Sequence, residues 1–288
     1  MMQMRMKAKK WIRRYPQLRY ILSLIYSRML HLRWLARNLL TGYRPITLKV
    51  VEQRIRLYPH GAIPEALYTN NFEAVERDFV IAFLKPGMAV VDAGANVGFY
   101  TLISSVLVGM DGWVHAFEPG RLTFELLQKN LELNKCQNVV ANRSALFSMR
   151  KRMVLRVDPV HPRLDGHRFI QSMESITCPD PRDEIVECQT LDNYFLPLGK
   201  TVDFMKVDVE GAELALLQGA EKILARSPNI TILLECTQNR ELVRGFASRY
   251  GFKCFIWDYK GRILKPAVYD EIIITGSVIL RRQAWMGI

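Results

Sequence analysis

The stretch Val90-Val91-Asp92-Ala93-Gly94-Ala95-Asn96-Val97-Gly98-Phe99-Tyr100-Thr101 reads as a buried strand, a glycine turn and the first turn of a helix. Pro86 and Gly87 punctuate its approach. Gly94 and Gly98 remove Cβ atoms where a backbone must turn sharply or let a ligand come close. The helix that follows aims its N-terminal N–H groups over the turn. The turn is therefore expected to offer donors to a carboxylate or phosphate, while Asp92 offers an acceptor to an amine or hydroxyl. The spacing is D-x-G-x-N-x-G and lacks the third glycine of the G-x-G-x-x-G dinucleotide turn. A nicotinamide oxidoreductase is accordingly disfavoured.

The unit recurs along the chain. Residues 113–117 read as a second strand, closed by Glu118-Pro119-Gly120 and followed by a helix over 122–133. An acid at that strand end is the residue type that accepts hydrogen bonds from both ribose hydroxyls of a nucleoside, and Glu118 stands 24 residues after Gly94. Residues 138–141 form a short third strand, with Asn142, Arg143, Ser144 and Ala145 at the corner where an adenine would lie in a doubly wound sheet. From 149 to 190 the pattern degrades into turn-rich sequence, expected to be a loop region or lid over a site. His161 and His167 lie there and read as surface histidines before they read as bases.

A second chemical cluster follows in Lys206-Val-Asp208-Val-Glu210-Gly211-Ala-Glu213. A lysine and several acids at one strand end are costly to bury unless they pair. Lys206 with Glu210 is one expected structural pair, the alternative being that the two tune the neighbouring Asp208. Residues 230–235 make a further strand ending in Glu235, and 252–257 with 271–280 read as a closing antiparallel pair. Upstream, a helix is expected over 72–83, with Glu73 and Glu76 as first-turn acids that favour its dipole.

Charge is unevenly placed. Residues 1–56 carry 14 Lys/Arg and one acid, Glu52, whereas the remainder is close to neutral. After a polybasic start, Leu18, Ile21, Leu22, Ile25, Met29, Leu32, Ala36 and Leu39 share one face of a helix that ends near Gly42. Residues 1–45 thus form a basic amphipathic helical arm. It can dock on its own domain or on a twin subunit in a homo-oligomer. It can also lie, through residues 1–40, on an anionic membrane surface. Nucleic acid is disfavoured, because no aromatics interleave with the bases. Five scattered cysteines without C-x-x-C spacing argue against a zinc site or disulfide framework and for a reducing compartment. With neither a secretory signal nor a membrane span in evidence, the expected location is cytoplasmic, with peripheral contact at the inner membrane surface as an option.

Together, D-A-G-A-N-V-G-F-Y-T at 92–101, A-F-E-P at 116–119, T-L-D-N-Y-F at 190–195, K-V-D-V-E-G-A-E-L at 206–214 and L-L-E at 233–235 resemble the FkbM family of S-adenosylmethionine (SAM)-dependent methyltransferases. The likeness runs from about residue 70 to the C-terminus, and the K-V-D-V-E-G-A-E stretch is its most specific part. It implies an α/β, doubly wound, mostly parallel, seven-stranded Rossmann-like sheet over residues 46–288. It also implies O-methylation of a hydroxyl on a sugar, glycan, polyketide or other small-molecule acceptor. Carried onto this chain, Asp92, Gly94, Asn96 and Gly98 would hold the amino acid end of SAM, Glu118 the ribose, and Asn142 with Ser144 the adenine. Asp208 is the first choice to place the acceptor or take its proton, tuned by Lys206 and Glu210. No metal is required; a Mg²⁺ variant through Asp208 and Glu235, with Gln238 or Asn239, is the weaker reading. A non-catalytic SAM-fold module recruited by its basic arm is the alternative from another class.

Overall fold

The computed structural model describes residues 16–70, 72–157, 168–175, 178, 180–235, 240–267 and 276–282. Helix α1 (Pro16–Thr41) leads into a hairpin of β1 (Ile46–Val50) and β2 (Gln53–Leu57), then α2 (Ala62–Tyr68) and α3 (Ala74–Phe83). Next come β3 (Ala89–Ala93), α4 (Phe99–Val108), β4 (Trp113–Phe117), α5 (Arg121–Asn134) and β5 (Val139–Asn142). Strands β6 (Ala145–Leu146), β7 (Lys151–Val157), β8 (Arg168–Gln171) and β9 (Glu184–Gln189) form a separate four-stranded sheet. The chain then returns through α6 (Leu191–Phe195), β10 (Phe204–Val207), α7 (Glu213–Gln218), α8 (Glu221–Arg226), β11 (Thr231–Glu235) and α9 (Arg240–Arg249). It closes with β12 (Lys253–Asp258), β13 (Ile263–Pro266) and β14 (Ser277–Arg281).

The main sheet runs β13-β12-β14-β11-β10-β3-β4-β5. Strands β11, β10, β3, β4 and β5 pair in parallel, and β14 enters antiparallel between β11 and β12. The fold is therefore α/β and doubly wound, with eight strands instead of seven. The addition is β13, which pairs antiparallel with β12 at the sheet edge. Its four residues, Ile-Leu-Lys-Pro, carry no apolar run, and the proline suits an edge position. The expected closing pair is present as β12 and β14, although residues 271–275 of its second strand lie outside the described residues.

Both faces of the central strands are buried, which is why they read as continuous apolar runs. Alternate side chains feed two cores. Val90 and Phe204 pack with Phe79, Phe83 and Leu102 from α3 and α4. Val91, Met205 and Val207 pack on the other face with Leu216, Ile223 and Phe246 from α7, α8 and α9. The chain order reverses at β3, with β4 on one side and β10 on the other. Crevices beyond the carboxyl ends of strands at such a reversal are where this architecture takes ligands.

Among the described residues of 149–190, the segment expected as a loop region, more than half are in strands. Strand β7 pairs antiparallel with β8 and β9. Val186 and Cys188 face inward from β9 while Ile185 and Glu187 face out, the period-2 alternation of a sheet with one face covered. His161 and His167 lie outside the described residues.

Candidate active site

Period-2 geometry sets the floor of a cleft of about 520 Å³ at the reversal point. Lys206 on β10 lies in register with Asp92 on β3. Asp208 follows two residues on and shares the face of Lys206. Glu235 ends the next strand, β11, and Glu73 comes in from the left-handed turn before α3, at φ 34°. All five line the cleft. The Lys206 ammonium bonds Asp208 Oδ2 at 2.9 Å and lies 4.7 Å from the centre of the Tyr100 ring. Where the sequence suggested a pair with Glu210, Lys206 takes Asp208 as its partner. Glu210 sits on the turn after β10 at φ 48°, lining the same cleft. Glu213 Oε1 accepts from the Gly211 N–H at 2.8 Å and so holds that turn, which explains one acid of the K-V-D-V-E-G-A-E motif structurally.

Four carboxylates thus surround one buried ammonium. Burial raises Asp92 and Glu73 above the ordinary carboxylate range. Burial, with Asp208 as a neighbouring like charge, pushes Glu235 up to about 8. Burial opposes the charge on Lys206, but Asp208, Glu73 and Asp92 outweigh it and hold the ammonium protonated. Glu73, Asp208 and Glu235 bring carboxylate oxygens within 4.8 Å of one another, the single such group among the described residues; a metal ion there would share Asp208 with Lys206. Gln238 and Asn239, the other residues of the Mg²⁺ reading, lie outside the described residues.

The glycine turn differs from expectation in one decisive respect. Its N–H groups are committed to the protein. Those of Gly94 and Ala95 both donate to the Phe117 carbonyl, Asn96 N–H to Glu118 Oε2, Val97 N–H to Asn96 Oδ1 and Gly98 N–H to the Ala95 carbonyl. The turn does not present a row of donors to a phosphate. What it presents is an acceptor. Asp92 is 2% exposed; Oδ2 accepts from Thr101 Oγ1 at 2.6 Å, and Oδ1 has no partner in the protein. Glu118 is similarly engaged, with Oε1 accepting from Gly120 N–H and Thr123 Oγ1 and Oε2 from Asn96 N–H. A carboxylate offers about four lone-pair sites, so about one remains, enough for a single ribose hydroxyl without rearrangement and not for two.

Glycine is required at position 94. Its φ is +79°, and a Cβ there would collide with the Asp208 carbonyl where β3 and β10 converge. Gly94→Ala should destabilise the fold by more than about 3 kcal/mol or abolish soluble expression, read from thermal melts. Gly98 does not line the cleft; it starts α4 in a left-handed turn over Leu127. Asn142 is likewise withdrawn, its amide donating to the Ala116 and Val140 carbonyls. Ser144 lies with Glu118, Gly94 and Asn96 around a smaller adjoining cavity. The four-stranded sheet closes this corner. Arg168 bonds Glu184 at 2.6 Å, and Glu184 accepts the Arg121 N–H that opens α5. Arg168, Glu184 and Tyr100 line the cleft and were not anticipated from sequence, where Tyr100 reads only as part of the helix start.

The model of the methyltransferase FkbM domain matches residues 92–254. This chain belongs to the FkbM methyltransferase domain family. Two curated relatives align at 28% identity. One is Methyltransferase 1 of Beauveria bassiana, matched over 51% of this chain and 64% of its own length. The other is Methyltransferase sdnD of Sordaria araneosa, over 49% and 64% respectively. The match thus spans less than two thirds of either relative. Among solved structures, an FkbM methyltransferase from Methylobacillus flagellatus aligns with a TM-score of 0.45 at 15% identity, covering 76% of this chain and 54% of that one. The FkbM match begins at Asp92 and takes in the glycine turn, Glu118, Lys206, Asp208 and Glu235; Glu73 lies before it.

Proposed function

We propose that the chain is a SAM-dependent methyltransferase that acts on a hydroxyl of a small-molecule or glycan acceptor. The observation that carries this reading is the composition of the cleft floor: Glu73, Asp92, Asp208 and Glu235 gather round the Lys206 ammonium, the arginines Arg121, Arg168 and Arg182 lie on the wall beside Glu184 and Asp183, and the glycine turn's N–H groups are already bonded. Such a floor favours a cationic ligand and disfavours a diphosphate. SAM is a cation overall, and the residues present fit it. The unpartnered Asp92 Oδ1 suits its ammonium, the remaining lone pair of Glu118 suits one ribose hydroxyl, and the corner by Ser144 suits the adenine.

When bound, SAM supplies a methyl group activated by a positively charged sulfur. The chain's residues have two tasks, alignment and proton removal. Asp208, anchored by Lys206, positions the acceptor. Glu235 takes the proton of the acceptor hydroxyl as its oxygen gains the methyl group, since an acid held near pH 8 is matched to that transfer near neutrality. This shifts the role of base from Asp208, which is already engaged by Lys206, to Glu235.

Calorimetric titration of SAM and of NAD into the purified protein tests the cofactor. SAM should bind and NAD should not. Asp92→Asn keeps the shape and an oxygen for Thr101 but removes the charge, and should weaken SAM about 10- to 100-fold while leaving the melting temperature unchanged or higher. NAD binding, or unaltered SAM affinity in Asp92→Asn, would overturn the reading.

A further inference from the structure

Helix α1 carries a surface that the methyltransferase fold does not use. Over residues 20–29 every side chain is exposed. Among the described residues the helix meets the body in its C-terminal half, where His31 bonds Glu65, Trp34 (4% exposed) packs against Tyr68, Arg37 donates to the Pro45 carbonyl and Asn38 is 3% exposed. At 3.6 residues per turn, Trp34 and Asn38 define one side. Ile21, Ile25, Met29, Leu32 and Leu39 define the opposite one, and they are 46–73% exposed. The domain therefore covers the side of α1 away from its apolar stripe. Docking of that stripe on its own domain, one of the expectations from sequence, does not occur among the described residues.

Charge decides what could cover it. Arg28 and Arg33 are exposed and border the stripe on its two flanks. Arg37 and His31 are engaged by the protein, with Pro45 and Asn38 and with Glu65 respectively. The first acid in the chain is Glu52, and residues 1–15 add six Lys/Arg. A second copy laid on this stripe would bring arginines to arginines, with no acid on either helix to pair them. An anionic lipid surface meets both features, taking the apolar stripe into its interfacial layer and the flanking cations at its headgroups. No described helix is long and apolar enough to cross a membrane.

We propose that α1 is an interfacial helix that docks the protein on an anionic lipid surface. The helix also adjoins the cleft. Helix α2, which α1 grips through His31–Glu65 at 2.7 Å and Trp34–Tyr68, contributes Ala62, Ile63 and Ala66 to the cleft wall.

The test is co-sedimentation of the full chain with vesicles of mixed phosphatidylcholine and phosphatidylserine, and with pure phosphatidylcholine, at low and high salt. Binding should need phosphatidylserine and weaken with salt. The double variant Ile25→Glu/Leu32→Glu should lose at least about tenfold in partitioning, and Arg28→Glu/Arg33→Glu a similar factor. All four positions are exposed, so both variants should melt with the parent. Failure of the parent to sediment with anionic vesicles would overturn the proposal, as would equal sedimentation of Ile25→Glu/Leu32→Glu. So would a dimer by light scattering that Ile25→Glu/Leu32→Glu dissolves, which would assign the stripe to a second copy.

Discussion

Glu235→Gln is expected to slow methyl transfer by roughly 10²- to 10⁴-fold, the usual contribution of a positioned general base, while SAM affinity changes only a few-fold. In the parent, the rate should rise with pH along a limb at or below the value of about 8 that burial and Asp208 give Glu235 in the empty cleft. A bound cation favours the carboxylate, so the limb should lie lower with SAM in place. The variant should lack it. Stability supplies an independent check. The native Glu235 carboxyl keeps its proton to about pH 8, whereas an unfolded chain releases it near 4.5. Between those values the native state binds more protons, so its stability falls as pH rises. Glutamine removes that fall. The ligand-free variant should match the parent near pH 4, where Glu235 is protonated in both states, and melt higher above about pH 8, by roughly 2–4 °C for each kcal/mol of relief. An active Glu235→Gln enzyme with an unaltered pH profile would remove Glu235 from the chemistry.

Lys206→Met should have a large and pH-dependent effect on folding. Lys206 is 5% exposed and bonded to Asp208. Removing one partner of a buried pair typically costs about 3–5 kcal/mol, because the other charge stays behind. For a chain of this size that corresponds to a melting temperature lower by roughly 6–20 °C. Glu73, Asp92, Asp208 and Glu235 would then share the cleft floor with no cation. Glu73, Asp92 and Glu235, which the ammonium holds down in the parent, would keep their protons to higher pH without it, so the deficit should shrink on acidification towards about pH 5 and widen above about pH 8. Melts across that range measure it. A variant as stable as the parent at high pH would mean that the ammonium does not balance these acids.

How much of this was readable beforehand depends on range. Lys206 and Asp208 share a face because they are two residues apart in a strand, and the acids at positions 118, 208 and 235 close strands whose apolar runs are plain in the sequence. Local pattern sufficed for these. The partner of Lys206 was not readable, since choosing Asp208 over Glu210 depends on the left-handed turn at Glu210. Nor was the state of the glycine turn. The motif shows that N–H groups are present, but their use by the Phe117 carbonyl and Glu118 is a contact between strands distant in sequence. Glu73 fits the description of an ordinary first-turn acid, and only the packing of α3 against β10 carries it into the cleft. The sheet of β6 to β9 was hidden by the turn-rich residues within it, although the alternation around Val186 and Cys188 was available as a signal. Strand β13 is too short and too polar to announce itself.

The imbalance of charge on the cleft floor also bears on how a turnover would end. Methyl transfer abolishes the positive charge on sulfur, so the thioether left behind meets the carboxylates without the attraction that gathered its precursor. The same acids that favour loading would therefore ease unloading. The resulting bias against the demethylated product would come from the charge balance of the cleft floor around Lys206.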